Sequence, residues 1–276
     1  MPKCVRIAVA GANDDRIFEL VNSFSKSKEI YFDLFGVGQV NRKFAGNVSY
    51  VTAVNDQDAV ELAIEDIIAG ADILFKGLVQ THTLLKEVLK KEYELVQGRL
   101  LSHVSILEIP ELNRPVLLTD AAMNIDPTVD QEKEIIKNAI EIAHAIGIEH
   151  PKVSLISSAE NFNKKMPSSV KAKELTDFYD HNRIDATVYG PLSLDLSLSK
   201  EVVAEKRFTG PIQGDADILV VPNIDVGNVL YKSLTMFTKT RVGGIIVGTK
   251  IPIVLTSRGD SLENKILALK FALKVI

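Results

Sequence analysis

Short apolar runs that empty into polar, glycine-bearing loops, and then into segments of helical period, constrain this chain more than any other feature. Val5 to Ala10, Ile30 to Val37, Ala71 to Phe75, Val116 to Thr119, Val153 to Ser157, Ala186 to Tyr189 and Ala216 to Val221 are such runs. Apolar on both faces, they suit strands buried in a parallel sheet. Between them, Ile17, Leu20, Val21 and Phe24, then Val60, Ile64, Ile67 and Ile68, then Ile135, Ile136, Ile140, Ile142, Ala143 and Ile146 recur at helical spacing. Strand alternating with helix predicts an α/β fold with largely parallel sheets. A chain of 276 residues is long for one compact domain, so two α/β domains are expected, with the passage to the second around Pro127.

Composition narrows the partners. A net charge of −4 gives no support for a nucleic-acid or membrane surface, and Cys4 stands alone, which excludes an intramolecular disulfide or a cysteine metal cluster. No apolar run approaches the roughly 20 residues of a membrane span. A reducing cytoplasm is the expected location.

Several strand-end loops carry chemistry-bearing residues. Gly11 to Asp15 follows the first strand but lacks the GxGxxG of a dinucleotide site. Lys76 and Thr81 flank the loop before a helix that starts near His82; they suit a phosphate, while a solvated loop lysine remains the plain alternative. Asp120, at a strand end, is a candidate for shaping a ligand cleft. His103 in the strand-like Leu101 to Ile106 is expected to be structural rather than a base, and His144 to be core or edge filler. Ser168 and Lys171 have SxxK spacing, but the companion words of serine hydrolases are missing, so Ser168 reads as a helix N-cap. Gly190-Pro191-Leu192 reads as a turn. Gly243 to Lys250 imitates a phosphate loop with its final residues in the wrong order, Gly-Thr-Lys, and its apolar middle is a strand.

The stretch from Gly214 to Lys265 contains two anion-facing loops. After Val221, Pro222 to Asn228 is a polar loop, and Val229, Leu230, Leu234 and Phe237 indicate a helix behind it. After the runs Ile245 to Val247 and Ile251 to Leu255 comes Thr256-Ser257-Arg258-Gly259-Asp260-Ser261, then a helix with Leu262, Ile266, Leu269 and Leu273 along one face. Asp260 or Ser261 can cap it, with Glu263 completing a capping box for Asp260. A hydroxyl, a guanidinium and a glycine between strand end and helix N-terminus form a candidate site for a phosphate or a developing oxyanion.

PNIDVGNVLYKSL followed by GGIIVGTKIPIVLTSRGDS closely resembles the signature of the phosphate acetyl/butyryl transferase family, in particular its phosphate butyryltransferase branch. The resemblance runs through GPLSLDLSLSKEVVAEK, KVSLISSAENFNKKMPSS, VLLTDAAMNIDP and LLSHVSI, from about Lys76 onward. It implies an isocitrate/isopropylmalate dehydrogenase-like pair of α/β domains, 1–126 with 252–276 and 127–251, with the active site in the cleft between them. The implied reaction is acyl-CoA plus phosphate giving acyl phosphate plus CoA, with no metal or cofactor, in a homodimer or higher homo-oligomer.

By the same resemblance Ser257 and Arg258 are catalytic, Arg258 gripping phosphate and the oxyanion and Ser257 bonding the thioester carbonyl or sulfur. Asn223, Gly227, Asn228 and Lys232, with Lys76 and Thr81, would line the pocket for CoA or phosphate. The acetyl-transferring branch proposes an aspartate base seven positions after the motif serine; Asn264 stands there, leaving Glu263, Asp260 or no dedicated base. The expected acyl group is butyryl or a branched four- or five-carbon chain. Alternatives are a phosphate acetyltransferase, an acyl-carrier-protein:phosphate acyltransferase and a non-catalytic acyl-CoA-binding protein. The decarboxylating dehydrogenases need metal-binding aspartates and a Tyr/Lys pair that have no counterpart here.

Overall fold

A computed structural model describes residues 4–24, 26–96, 98–257 and 259–276. Grouped by contacts, the chain forms two compact units, 1–99 with 243–276, and 100–242. The crossings fall earlier than the expected domain limits at 126/127 and 251/252. The reason is pairing: the strands at 102–108 and 116–119 join each other, and the second joins a strand at 218–220, so all three group with the later segment.

The first unit contains β1 (Val5–Ala10), β2 (Ile30–Val37), β3 (Val48–Ala53), β4 (Ile73–Lys76), β10 (Arg241–Val247, entering at Gly243) and β11 (Ile253–Val254), in the order β3-β2-β1-β4-β11-β10. All pairs are parallel except β10 with β11. The chain runs outward from β1 to β3 and then returns past β1 to β4. The order therefore reverses between β1 and β4, where open α/β sheets bind ligands beyond the strand C-termini. Ile7, Phe32, Leu34, Leu74 and Phe75 of the strands are buried, as are Leu20 of α1 (Asp15–Ser23), Ile64 of α2 (Asp56–Ile68), Leu84 of α3 (Thr81–Val88) and Phe271 of α9 (Leu262–Lys274). The edge strand β3 carries exposed Ser49, Val51 and Thr52 and shows no apolar run in the sequence.

In α9 the buried residues are Lys265, Ala268, Leu269, Phe271 and Ala272. This face is rotated from the expected stripe of Leu262, Ile266, Leu269 and Leu273. Gly243 explains the fit: a Cβ there would stand 2.6 Å from the Ala268 nitrogen, so β10 admits the backbone of α9 at close range.

The second unit has β5 (Ser102–Glu108), β6 (Val116–Thr119), β7 (Lys152–Ile156), β8 (Thr187–Leu192) and β9 (Ile218–Val220), ordered β5-β6-β9-β7-β8. Only β5 with β6 is antiparallel. Helices α4 (Val129–Ala145), α5 (Pro167–His181), α6 (Leu194–Leu198), α7 (Lys200–Lys206) and α8 (Ile224–Phe237) complete it. Leu107, Leu118, Leu192, Leu196, Ile212 and Leu219 share its core. The expected turn at Gly190 to Leu192 is instead the end of β8, where the register against β7 shifts. Gly190 permits that close pairing, since a Cβ would meet the Leu155 oxygen at 2.6 Å. His144 is exposed in the last turn of α4, its Nε2 3.1 Å from the Asp185 carbonyl, rather than packed in the core.

Candidate active site

Within the first unit, the loops after β1 and β4 are joined through their backbones, and the loop after β11 is tied in by side chains. Gly77 N–H donates to the Ala10 carbonyl (2.8 Å) and Leu78 N–H to that of Gly11 (2.9 Å). A Cβ on Gly77 would lie 2.2 Å from the Gly11 oxygen, and Gly11 itself has φ +81°. Lys76 is 3% exposed, which overturns the solvated-lysine alternative. Its Nζ curls over its own loop and donates to the carbonyls of Gly77 (3.2 Å) and Val79 (3.1 Å). Thr256, at the end of β11, donates to the Lys76 carbonyl (3.3 Å) and so ties the two loops together. Thr81 is the first residue of α3 and half-buried.

The Ser257 turn is a closed hydrogen-bonded unit. Ser257 N–H donates to Asp260 Oδ2 (2.6 Å), Asp260 N–H to the Ser257 carbonyl (3.2 Å), and Gly259 N–H to Ser257 Oγ (3.3 Å). The exposed hydroxyl keeps its O–H and a second lone pair available to a ligand. Arg258, the other expected catalytic residue, lies outside the described residues. Ser261, not Asp260, caps α9 by accepting Asn264 N–H (3.2 Å), and Glu263 is exposed in the first turn.

Sequence reasoning missed Lys265. Its Nζ, on a residue 3% exposed, donates to the Ser257 carbonyl at 2.9 Å. Burial lowers its pKa, against the raising influence of Asp260 and Asp14. A lysine in the stripe Lys265, Ala268, Leu269, Ala272 was the available signal, hidden by assigning the apolar face to the wrong rows.

In the second unit the loops after β6 and β9 share a backbone bond, Ile224 N–H to the Ile125 carbonyl (2.9 Å), and are held further by side chains. Asn223 caps α8, its Oδ1 accepting Val226 N–H (3.0 Å), so the expected loop ends there and Ile224 to Asn228 are already helical. Gly227 is the buried residue of α8 and lets its first turn press on the β6 loop, where a Cβ would meet the Ala121 Cα at 2.8 Å. Asn228 and Lys232 are exposed one turn apart on the same face of α8. Asp120 accepts N–H groups from Ala122 and Met123 (both 2.9 Å) and Asn124 (3.3 Å), and the Asn124 side-chain amide at 2.6 Å. It organises its own loop. His103 is buried, with Nδ1 3.4 Å from Ser105 Oγ, as a structural residue would be.

The expected N-cap at Ser168 is corrected: α5 starts at Pro167 behind Met166, because proline suits the first helical position. Ser168 Oγ instead meets Ser157 Oγ (3.0 Å), and Ser169 accepts Asn163 N–H (2.9 Å). Lys171, the other half of that motif, donates to the carbonyls of Pro127 (2.7 Å) and Pro222 (3.1 Å), which lie in the loops after β6 and β9. Glu132 Oε1 stands 2.9 Å from the ammonium, at ion-pair distance but without hydrogen-bond alignment. Burial pushes the Glu132 carboxyl up to about 7, with Lys171 pulling the other way.

These features define an α/β enzyme fold with glycine-tightened loops at a sheet reversal and a serine turn capped by a helix. Residues 41–272 match the Phosphate acetyl/butaryl transferase family, and the chain belongs to that family. It is 40% identical over 276 residues to a phosphate butyryltransferase of Clostridium acetobutylicum, spanning 97% of this chain and 92% of that protein. A crystal structure of a branched-chain phosphotransacylase from Enterococcus faecalis superimposes with TM-score 0.93 at 49% identity, covering 98% of each chain. A beta-decarboxylating dehydrogenase from Thermococcus kodakarensis, at 13% identity, TM-score 0.50 and coverage of 99% of this chain and 82% of that one, shares the fold alone.

Proposed function

We propose that this chain transfers a butyryl or branched four- or five-carbon acyl group from CoA to inorganic phosphate in a ternary complex, releasing acyl phosphate and CoA. The supporting observation is near full-length similarity to a phosphate butyryltransferase and a branched-chain phosphotransacylase, combined with an exposed Ser257 hydroxyl in a hydrogen-bonded turn. A phosphate oxygen attacks the thioester carbon, the carbonyl electrons move onto oxygen, and collapse of the tetrahedral intermediate expels CoA thiolate, which solvent protonates. The thioester is already activated, so the protein contributes position and charge.

In this reading Arg258 grips phosphate with its planar fork. Ser257 donates to the carbonyl oxygen or the departing sulfur. Lys76, Thr81, Asn223, Gly227, Asn228 and Lys232 serve the same pair of reactants. Asp260 already accepts Ser257 N–H, so using it as a base would loosen the turn, and Glu263 is the remaining nearby carboxylate. Among the described residues no helix is long and apolar enough to cross a membrane. A homo-oligomer acting in a reducing cytoplasm completes the proposal.

The test mixes the protein with acetyl-, butyryl-, isobutyryl- and isovaleryl-CoA, with and without phosphate, and follows free thiol. Phosphate-dependent release is expected, fastest with the four- and five-carbon groups and reduced about 100- to 1,000-fold in Ser257→Ala and Arg258→Ala. Parallel rather than intersecting initial-rate lines would replace the ternary complex with an acyl-enzyme. Absence of release with every thioester would sink the activity.

A further inference from the structure

We propose that Lys265 is a positioning residue for the acyl transfer: from the first turn of α9, its ammonium holds the Ser257–Asp260 turn by a backbone carbonyl and keeps a positive charge beneath that turn. The proposal rests on the transferase reading for its catalytic consequence, though the hold on the turn is a property of the fold.

The geometry is specific. The Ser257 carbonyl receives both the Asp260 N–H (3.2 Å) and the Lys265 ammonium (2.9 Å), while Ser257 N–H is committed to the Asp260 carboxylate (2.6 Å). Both backbone groups of Ser257 are therefore fixed, and its hydroxyl is presented from a clamped residue. The charged groups that act on Lys265 are Asp260 of the turn and Asp14 and Arg16 at the start of α1. Two carboxylates against one guanidinium favour the ammonium, and burial opposes it.

A lysine at this place is a poor choice for stability alone. Its neighbours in the buried stripe are Ala268, Leu269 and Ala272, and a methionine would extend that stripe without desolvating a charge. What an apolar residue could not do is bond the Ser257 carbonyl or offset the charge of two polyanionic reactants. The lysine is thus explained by the turn it supports.

Two measurements on Lys265→Met and Lys265→Arg decide the matter. Hydrogen exchange read by mass spectrometry needs no activity: in Lys265→Met, protection of peptides covering 257–261 should fall, with those covering 268–274 unchanged as the folding control. Unchanged protection at 257–261 overturns the proposal. If Lys265→Met loses protection throughout, Lys265→Leu, which equally lacks a donor, replaces it under the same criterion. In turnover, Lys265→Met should lose about 10- to 100-fold in kcat with KM for acyl-CoA little changed, and Lys265→Arg should recover most of it. Wild-type activity should also fall at alkaline pH as Lys265 deprotonates, a limb that Lys265→Met lacks. Wild-type kinetics and pH profile in Lys265→Met would overturn the catalytic role. A wild type that releases no thiol would refute the transferase reading instead, leaving the exchange result to judge the turn.

Discussion

The strand-end loops of the two units solve the same problem by different means. In the first unit, peptide groups stitch the β1 and β4 loops directly, and two glycines supply the room. In the second, a peptide hydrogen bond, Ile224 N–H to the Ile125 carbonyl (2.9 Å), is supplemented by side chains: Asp120 gathers the β6 loop, and Lys171 reaches from α5 to carbonyls of both the β6 and β9 loops. Peptide stitching involves no titratable group, so it should be indifferent to pH but intolerant of an added methyl. Side-chain stitching should tolerate small backbone changes yet respond to protonation and to loss of a single ammonium.

The largest effect should come from Lys171→Met, which removes the bonds to Pro127 and Pro222 and strands Glu132. A loss of about 3 to 5 kcal/mol is expected at pH 8 by chemical denaturation, with much of it recovered in the Lys171→Met, Glu132→Gln pair. A loss under about 1 kcal/mol would show that the second unit does not depend on this hub.

On the other side, Gly77→Ala should cost about 3 kcal/mol or lower the yield of folded protein, since its Cβ meets backbone at 2.2 Å. The cost should be the same at pH 5 and pH 8. Any marked pH dependence would erase the distinction between the two regions.

The acid–base prediction concerns Glu132. Its folded pKa of about 7 lies above the unfolded value of about 4.3, so the native state holds the proton more tightly. The resulting stabilisation is complete below about pH 4.3 and is lost as pH rises to about 7, for a total of about 3 to 4 kcal/mol. Glu132→Gln should flatten that slope in a series of denaturation midpoints. An unchanged slope would locate the titration elsewhere.

The smallest effects should be shared by both regions. Asn223→Ala and Ser261→Ala each remove an N-cap and should each cost about 1 kcal/mol. Equal costs would show that the helix starts behind the two loops are built alike even though the loops are not.

Much of this was legible in the sequence because it depends on local pattern. Apolar runs fixed by burial on both faces gave most of the strands, and the TSRGDS word gave the serine turn, whereas in PNIDVGN, read as a loop, only Pro222 and Asn223 precede the start of α8. What was hidden depends on register or long-range pairing. Lys171 sits three residues after Ser168, and spacing alone cannot say that its ammonium turns to Pro222, which comes from a distant part of the chain. Lys265 was overlooked because a small rotation of α9 moves it into the buried stripe and leaves Leu262, Ile266 and Leu273 half-buried, and the close approach of Gly243 to Ala268 that accompanies this rotation comes from a distant strand. The unit crossings were displaced because β5 and β6 have strand character but no local sign of which partners they join.

The interleaved path of the first unit also sets an order of events on the ribosome. β4 lacks its neighbour β11 until residues beyond 253 are made, by which time all of 100–242 has been synthesised. At about 5 to 20 residues per second, β4 waits on the order of ten seconds or longer as an open edge. The segment that finally covers it brings the serine turn, so the nascent chain completes its sheet and installs the Ser257 turn in the same late step.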